Sequence, residues 1–258
     1  MQRPQCSAAP APSAQAVPTF GGAGCDGETG CMHLLRSRGL WLEGQRLKLH
    51  LGCGETHLSG YVNIDFPSDH HTVQTQPAAD VYADIVDLSF PAQAVAEVRL
   101  HHVFEHFDRP VALCLLCKWH SWLQVGGQIL VEVPDLRACA LQLLLPWRSY
   151  RLKQVAVRHL YGSHEADWAV HRDGWDRARL ERVVRVLGFS SPSFTTAHYK
   201  GTYNITLRAS KTKHVSLPVL RRRISELLRD HLVDNSPTEL RLLEVWEERV
   251  SEMLESGT

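Results

Sequence analysis

The chain has no charge of one sign to spare: twenty-eight Lys and Arg are matched by twenty-eight Asp and Glu. The field that would draw a whole protein onto DNA, RNA or an anionic membrane is therefore missing, and a nucleic-acid substrate is not expected. Long hydrophobic runs are missing too. The longest lies around residues 140–145, far short of the roughly 20 residues that cross a bilayer. The first residues lack the charged-then-apolar order of a secretory signal. Cysteine is present but in odd number, seven in all, and Cys53, Cys114, Cys117 and Cys139 fall in apparent strand ends and helices. That excludes a disulfide framework and points to a reducing, cytoplasmic setting. No internal repeat is visible.

What remains is a chain of 258 residues, 44% hydrophobic, enough for one domain with a substantial core and some appendages. Residues 1 to about 31 are rich in Ala, Pro, Gln, Ser and Gly and cannot offset the entropy of ordering. The tail expected to be disordered or poorly ordered is drawn as 1–45, with Met32 a second candidate start of translation. From Arg46 short apolar runs alternate with helical periods, the pattern of an α/β domain over 46–212. Strands are predicted at 46–51, 61–65, 79–84, 96–101 and 127–133. A helix is expected from Asp108 to Gly126-Gly127 and another over 176–187, closed by Gly188. A closing hairpin is expected at 193–198 and 203–209. Residues 213–258 read as a helical appendage: Leu217–Leu232, then a capping box at Ser236-Pro237-Thr238-Glu239 ahead of an apolar stripe. Such a tail is expected to pack against the body, with a homodimer contact or a lid as the alternative.

The strand ending in Gly52-Cys53-Gly54 calls for a sharp turn and a close approach to bare main chain. Asp65 follows at the end of the next strand, where a carboxylate can accept hydrogen bonds from a ribose diol. The dinucleotide fingerprint is not met, because its third glycine would fall at His57.

Taken together, LKLHLGCG, GYVNIDF, ADIVDLSFP, VFEHF, LQVGGQILVEVPDL and YGSHEADWAVHRDGW…LGF resemble the class I S-adenosylmethionine-dependent methyltransferases. The closest likeness is to the bacterial type 11-like branch often associated with glycan biosynthesis. The resemblance covers about 46–210. It implies a Rossmann-like fold with a mostly parallel seven-stranded sheet, helices on both faces, and S-adenosylmethionine as cofactor. By the same likeness Gly52, Cys53 and Gly54 lie against the methionine part, Asp65 with Phe66 beside it binds the ribose, and Asp84 with Ile85 meets the adenine. His101, His102 and Glu105 line the site. His50 stands where many members carry an acid, and Thr56 stands where the common pattern has a third glycine. The short spacing from Gly54 to Asp65 leaves room for little or no helix between the first two strands.

The implied reaction is methyl transfer to a small-molecule or glycan-linked acceptor, most readily a hydroxyl. Such a transfer asks for positioning, exclusion of water and a base near neutral pKa. The candidates for catalysis are His102, Glu105, His106 and His171, with Asp135 to hold the acceptor. The sequence reading places no metal. His102-Val-Phe-Glu105-His106 does match the H-x-x-E-H zinc signature, but the preceding strand denies the two histidines a shared helical face. Cys114 and Cys117 have redox spacing yet lie mid-helix among leucines. A non-catalytic module of the same fold is the other alternative, against which Gly52, Gly54 and Asp65 argue. Five of the tryptophans, Trp119, Trp122, Trp147, Trp168 and Trp175, give mild support to a glycan acceptor. The segment 136–175 is expected to cover the acceptor pocket.

Overall fold

The computed structural model of the chain describes residues 28–67, 70–71 and 73–255. The disorder expected for residues 1–27 falls outside them. For 28–45 that expectation is corrected: Glu28–Ser37 is a helix, α1, whose Cys31 and Leu35 are buried in the core. Two side chains at helical spacing were enough to anchor a segment whose average composition is polar.

Seven strands form one sheet in the order β3-β2-β1-β4-β5-β7-β6. They are β1 Leu47–Leu51, β2 Val62–Asp65, β3 Val81–Tyr82, β4 Val95–His101, β5 Leu123–Pro134, β6 Phe189–Tyr199 and β7 Thr202–Lys211. Strands β1 to β5 pair in parallel, and β7 runs antiparallel to both of its neighbours. This is the mostly parallel Rossmann-like sheet that the resemblance implies. Helices α2 (Arg109–Trp122), α3 (Leu136–Leu144), α4 (Tyr150–Tyr161), α5 (Arg177–Val186), α6 (Leu217–Arg229) and α7 (Pro237–Glu255) complete the chain.

β1 is buried at all positions but Lys48, as a central parallel strand covered on both faces must be. β3 is shorter than predicted, because Asp84 turns the chain into a 3₁₀ turn at Ile85–Asp87. Asp108 does start α2, accepting from the Val111 N–H. The helix stops at Trp122, and Gly126-Gly127 lies inside β5. A Cβ on Gly127 would lie 2.9 Å from the Gln124 carbonyl oxygen, so this glycine serves close packing and not helix termination. No helix spans β1 to β2. Buried Asn63 holds that loop instead, its Oδ1 accepting from the Leu58 N–H at 2.9 Å and lying 3.0 Å from His50 Nδ1.

The tail packs against the body: Leu220, Ile224, Leu227, Leu228, Leu243, Val250 and Leu254 are buried and belong to the same core as α2. On α3 the apolar Leu141 and Leu144 are exposed while Cys139 and Gln142 are buried. Among the described residues no helix is long and apolar enough to cross a membrane.

Candidate functional site

A cavity of about 760 Å³ opens at the carboxyl ends of β1, β2, β3 and β4. All ten residues to which the resemblance gives a cofactor role line it: His50, Gly52, Cys53, Gly54, Asp65, Phe66, Asp84, Ile85, His101 and His102. His106 lines it as well.

The floor is the turn after β1. Gly52 and Gly54 have φ of +67° and +57°, the left-handed region that glycine occupies at no steric cost. A Cβ on Gly52 would lie 2.2 Å from Val103 Cγ2, whereas one on Gly54 would meet nothing within 4 Å. Gly52 is thus bare to leave room for Val103, in the segment just after β4, and Gly54 is bare where the cavity opens. The Gly54 N–H donates to Asp65 Oδ2 at 2.9 Å, the Phe66 N–H donates to Oδ1 at 2.8 Å, and Gln74 donates to Oδ2 at 3.2 Å. Burial pushes the Cys53 thiol up to about 12, so it stays protonated. Burial also raises Asp84, whose carboxylate caps the Val86 N–H.

The wall is histidine-rich. Burial lowers His50 and His101, and Arg99 Nε donates to His101 Nε2 at 2.9 Å. His102 adopts φ of +54°, a conformation rare outside glycine that often marks a functional position. Its Nδ1 lies 3.3 Å from Glu105 Oε1, and its Nε2 lies 2.9 Å from Asn204 Nδ2 and 3.5 Å from Glu132 Oε1. Burial works against its charge, but the two carboxylates more than offset it and raise the ring to about 9. Its hydrogen bond in turn holds Glu132 down at about 2. The two carboxylates favour the protonated ring of His102, while Asn204 turns its amide nitrogen to His102 and its oxygen to His159 Nε2 at 2.7 Å.

A second hollow of about 330 Å³ lies behind, and His102, His106 and Trp168 line both spaces. His159 and His171 line the second. Burial lowers both, His171 to about 4, so their rings are neutral. Glu105 lies beneath the partition, 1% exposed, with Oε1 3.8 Å from His171 Nε2. Asp135 does not join them. It caps Ala138 N at the start of α3 and faces a separate hollow beside Arg177 and Phe194.

The structure adds residues the sequence reading missed: His71, Gln74, Arg172 and Arg249 in the first cavity, and Arg158 and His159 in the second. Of the five tryptophans only Trp168 lines a cavity described here, while Trp119 and Trp175 are buried in the core and Trp147 is exposed. The segment after β5 does supply the walls of the second hollow. His102, Glu105 and His106 share no helix, since His102 follows β4 directly and Glu105 and His106 belong to a 3₁₀ turn at Phe104–His106.

No family model and no curated protein sequence matches the chain. Solved structures do. A methyltransferase dependent on S-adenosylmethionine from Methanosarcina mazei is similar at 13% identity and a TM-score of 0.45, over 68% of this chain and 97% of that one. Another from Archaeoglobus fulgidus has 15% identity and a TM-score of 0.43, over 71% and 94%. The magnesium protoporphyrin IX methyltransferase of Synechocystis, with bound S-adenosylhomocysteine, has 13% identity and a TM-score of 0.41, over 71% and 81%.

Proposed function

We propose that this chain is a methyltransferase that uses S-adenosylmethionine and methylates a hydroxyl of a small or glycan-linked acceptor. The observation that carries the reading is convergence: Gly52, Gly54, Asp65 and Asp84 come from three separate strand ends and face one cavity. Its volume, about 760 Å³, suits a nucleoside-sized ligand. The fit is physical at both ends. Gly54 leaves open space where a side chain would stand. The carboxylate of Asp65 receives three hydrogen bonds from the chain and has about four lone-pair positions, so a diol can still donate to it. Bound there, S-adenosylmethionine supplies a methyl group on a sulfonium, an intrinsically good donor.

The chain's own residues then have modest tasks. Gly54 lets a ligand approach the main chain, Asp65 orients it, and Asp84 with Ile85 closes on its far end. The second hollow is suited to seat the acceptor, with Trp168 as an apolar face for a ring. His106 and His171 line that hollow, and an imidazole is the side chain suited to take an acceptor proton there.

Calorimetric titration of the purified protein with S-adenosylmethionine and S-adenosylhomocysteine tests the reading. We expect both to bind and Asp65→Ala to weaken them roughly 5- to 150-fold, the equivalent of one or two charged hydrogen bonds. No binding of either compound overturns it.

A further inference from the structure

Glu105, His106 and His171 bring one carboxylate oxygen and two ring nitrogens within 4.8 Å of one another. Glu105 is 1% exposed, and its Oε2 has no hydrogen-bond partner among the described residues. A buried carboxylate oxygen left bare calls for an explanation, and an ion is one of the recognised ones. We propose that these three side chains hold a divalent transition-metal ion at the partition between the two hollows. Two imidazoles with one carboxylate suit zinc, iron, cobalt or manganese, not calcium or magnesium. Three protein ligands with an open position are the arrangement of catalytic, not structural, sites.

The supporting contacts agree. His106 Nδ1 lies 3.3 Å from the Val170 carbonyl oxygen, the outer hydrogen bond that fixes the tautomer of a metal-binding histidine and leaves Nε2 bare. The Arg172 N–H donates to the Glu105 carbonyl oxygen at 2.9 Å and the Asp173 N–H at 3.3 Å. These bonds tie the segment carrying His171 to the turn carrying the other two ligands. At metal–ligand bonds near 2.1 Å the donor atoms would stand roughly 3 to 3.5 Å apart, so the two rings close in by about 1 Å. His102 is not a ligand in this set, which therefore differs from the H-x-x-E-H pattern in the sequence.

His106 lines both hollows, so the ion's open position faces the acceptor space. A hydroxyl bound there would lose its proton to solvent near neutral pH. That use rests on the methyl-transfer reading; the presence of the ion does not.

The full chain, freed of metal with a chelator, would be titrated with Co²⁺ and separately with Zn²⁺, with metal content measured directly. We expect one ion per chain and a Co²⁺ spectrum of nitrogen and oxygen ligands without a thiolate charge-transfer band. Affinity should fall at least about tenfold in Glu105→Gln, His106→Gln and His171→Gln but not in His33→Gln. Should Glu105→Gln fail to fold, the two histidine variants carry the test. Absence of uptake by the unaltered chain, a thiolate band, or wild-type affinity in His171→Gln overturns the site. A titration with S-adenosylhomocysteine in the same metal-free protein reads the cofactor cavity separately, so either reading can fail alone.

Discussion

The main-chain N–H of Gly54 donates to Oδ2 of Asp65 at 2.9 Å, joining two cavity residues eleven apart in the chain. The turn and the acid are therefore one unit, since Asp65 also fixes Phe66 through Oδ1. Asp65→Ala should orphan both N–H groups and cost about 1–3 kcal/mol of stability besides its effect on cofactor affinity. Asp65→Asn keeps one acceptor oxygen and should fall between. Thermal melts beside the calorimetry check the order wild type, Asn, Ala; an Ala variant that melts like wild type would show that the turn stands without the acid.

The two glycines of the turn should fail in different ways. Gly52→Ala forces a Cβ to 2.2 Å from Val103 Cγ2 at a φ of +67°, so overpacking adds to backbone strain and the loss should reach about 2–4 kcal/mol. Gly54→Ala meets nothing within 4 Å and should cost only about 1–2 kcal/mol. Its cofactor affinity should nevertheless fall at least as far as that of Gly52→Ala. Urea unfolding paired with S-adenosylhomocysteine titration separates the two; equal losses of stability would remove the distinction.

The frame of this site was legible in the sequence because it is local. Leu47–Leu51 and Val62–Asp65 are apolar runs that end in chemistry, and Gly52, Gly54, Asp65 and Asp84 follow from where such strands end. The walls were not legible, for they come from afar. His159 reaches Asn204, 45 residues on, and Asn204 in turn reaches His102 across 102 residues. Asp135 misled because a polar residue after a strand serves equally as a helix cap, the role it has here. The proposed metal set was hidden for a similar reason: local spacing offered His102, while the residue that meets Glu105 and His106 in space is His171. α1 was missed because the surrounding composition hid its two anchoring residues.

Acid should destabilise the fold through His120, which is fully buried. Burial first, and then the positive charges of Lys211, His214 and Arg223, push its ring from the usual 6.5 down to about 4. The unfolded chain takes the proton first, so stability is complete above about pH 6.5 and is lost as pH falls toward 4, by on the order of 1–3 kcal/mol. His231, lowered to about 4 by burial beside Arg109 and Arg179, adds a smaller loss of the same sign. Melting curves between about pH 7.5 and 4.5 should show His120→Phe losing less than wild type, on the linkage just given. Equal acid sensitivity in the two would place the responsible group elsewhere.

The same corner holds a lysine that pairs with no carboxylate among the described residues. Lys211 is fully buried, and its Nζ donates to the carbonyl oxygens of His120 at 2.6 Å and Leu123 at 2.7 Å. It closes the end of α2, whose last carbonyls have no partner within the helix. Lys211→Met fills much of the volume but leaves those carbonyls bare, so it should cost about 1–3 kcal/mol in urea unfolding even though a buried charge is removed. A neutral or stabilising result would mean that desolvating the ammonium outweighs its bonds.

Whether the C-terminal helices are part of the fold can be decided by comparing a buried and an exposed position on α7. Val250 is 2% exposed, and Cys114 of α2 donates its thiol to the Val250 carbonyl oxygen at 3.8 Å. One residue away, Arg249 reaches Asp108 at 2.7 Å across an exposed surface. Val250→Ala should cost about 1–3 kcal/mol by leaving a gap against α2, whereas Arg249→Ala should stay within about 1 kcal/mol because solvent screens the pair. Both would be read from urea unfolding. If Val250→Ala proved as mild as Arg249→Ala, α7 would be a detachable element, and contact with a second copy would become its better explanation.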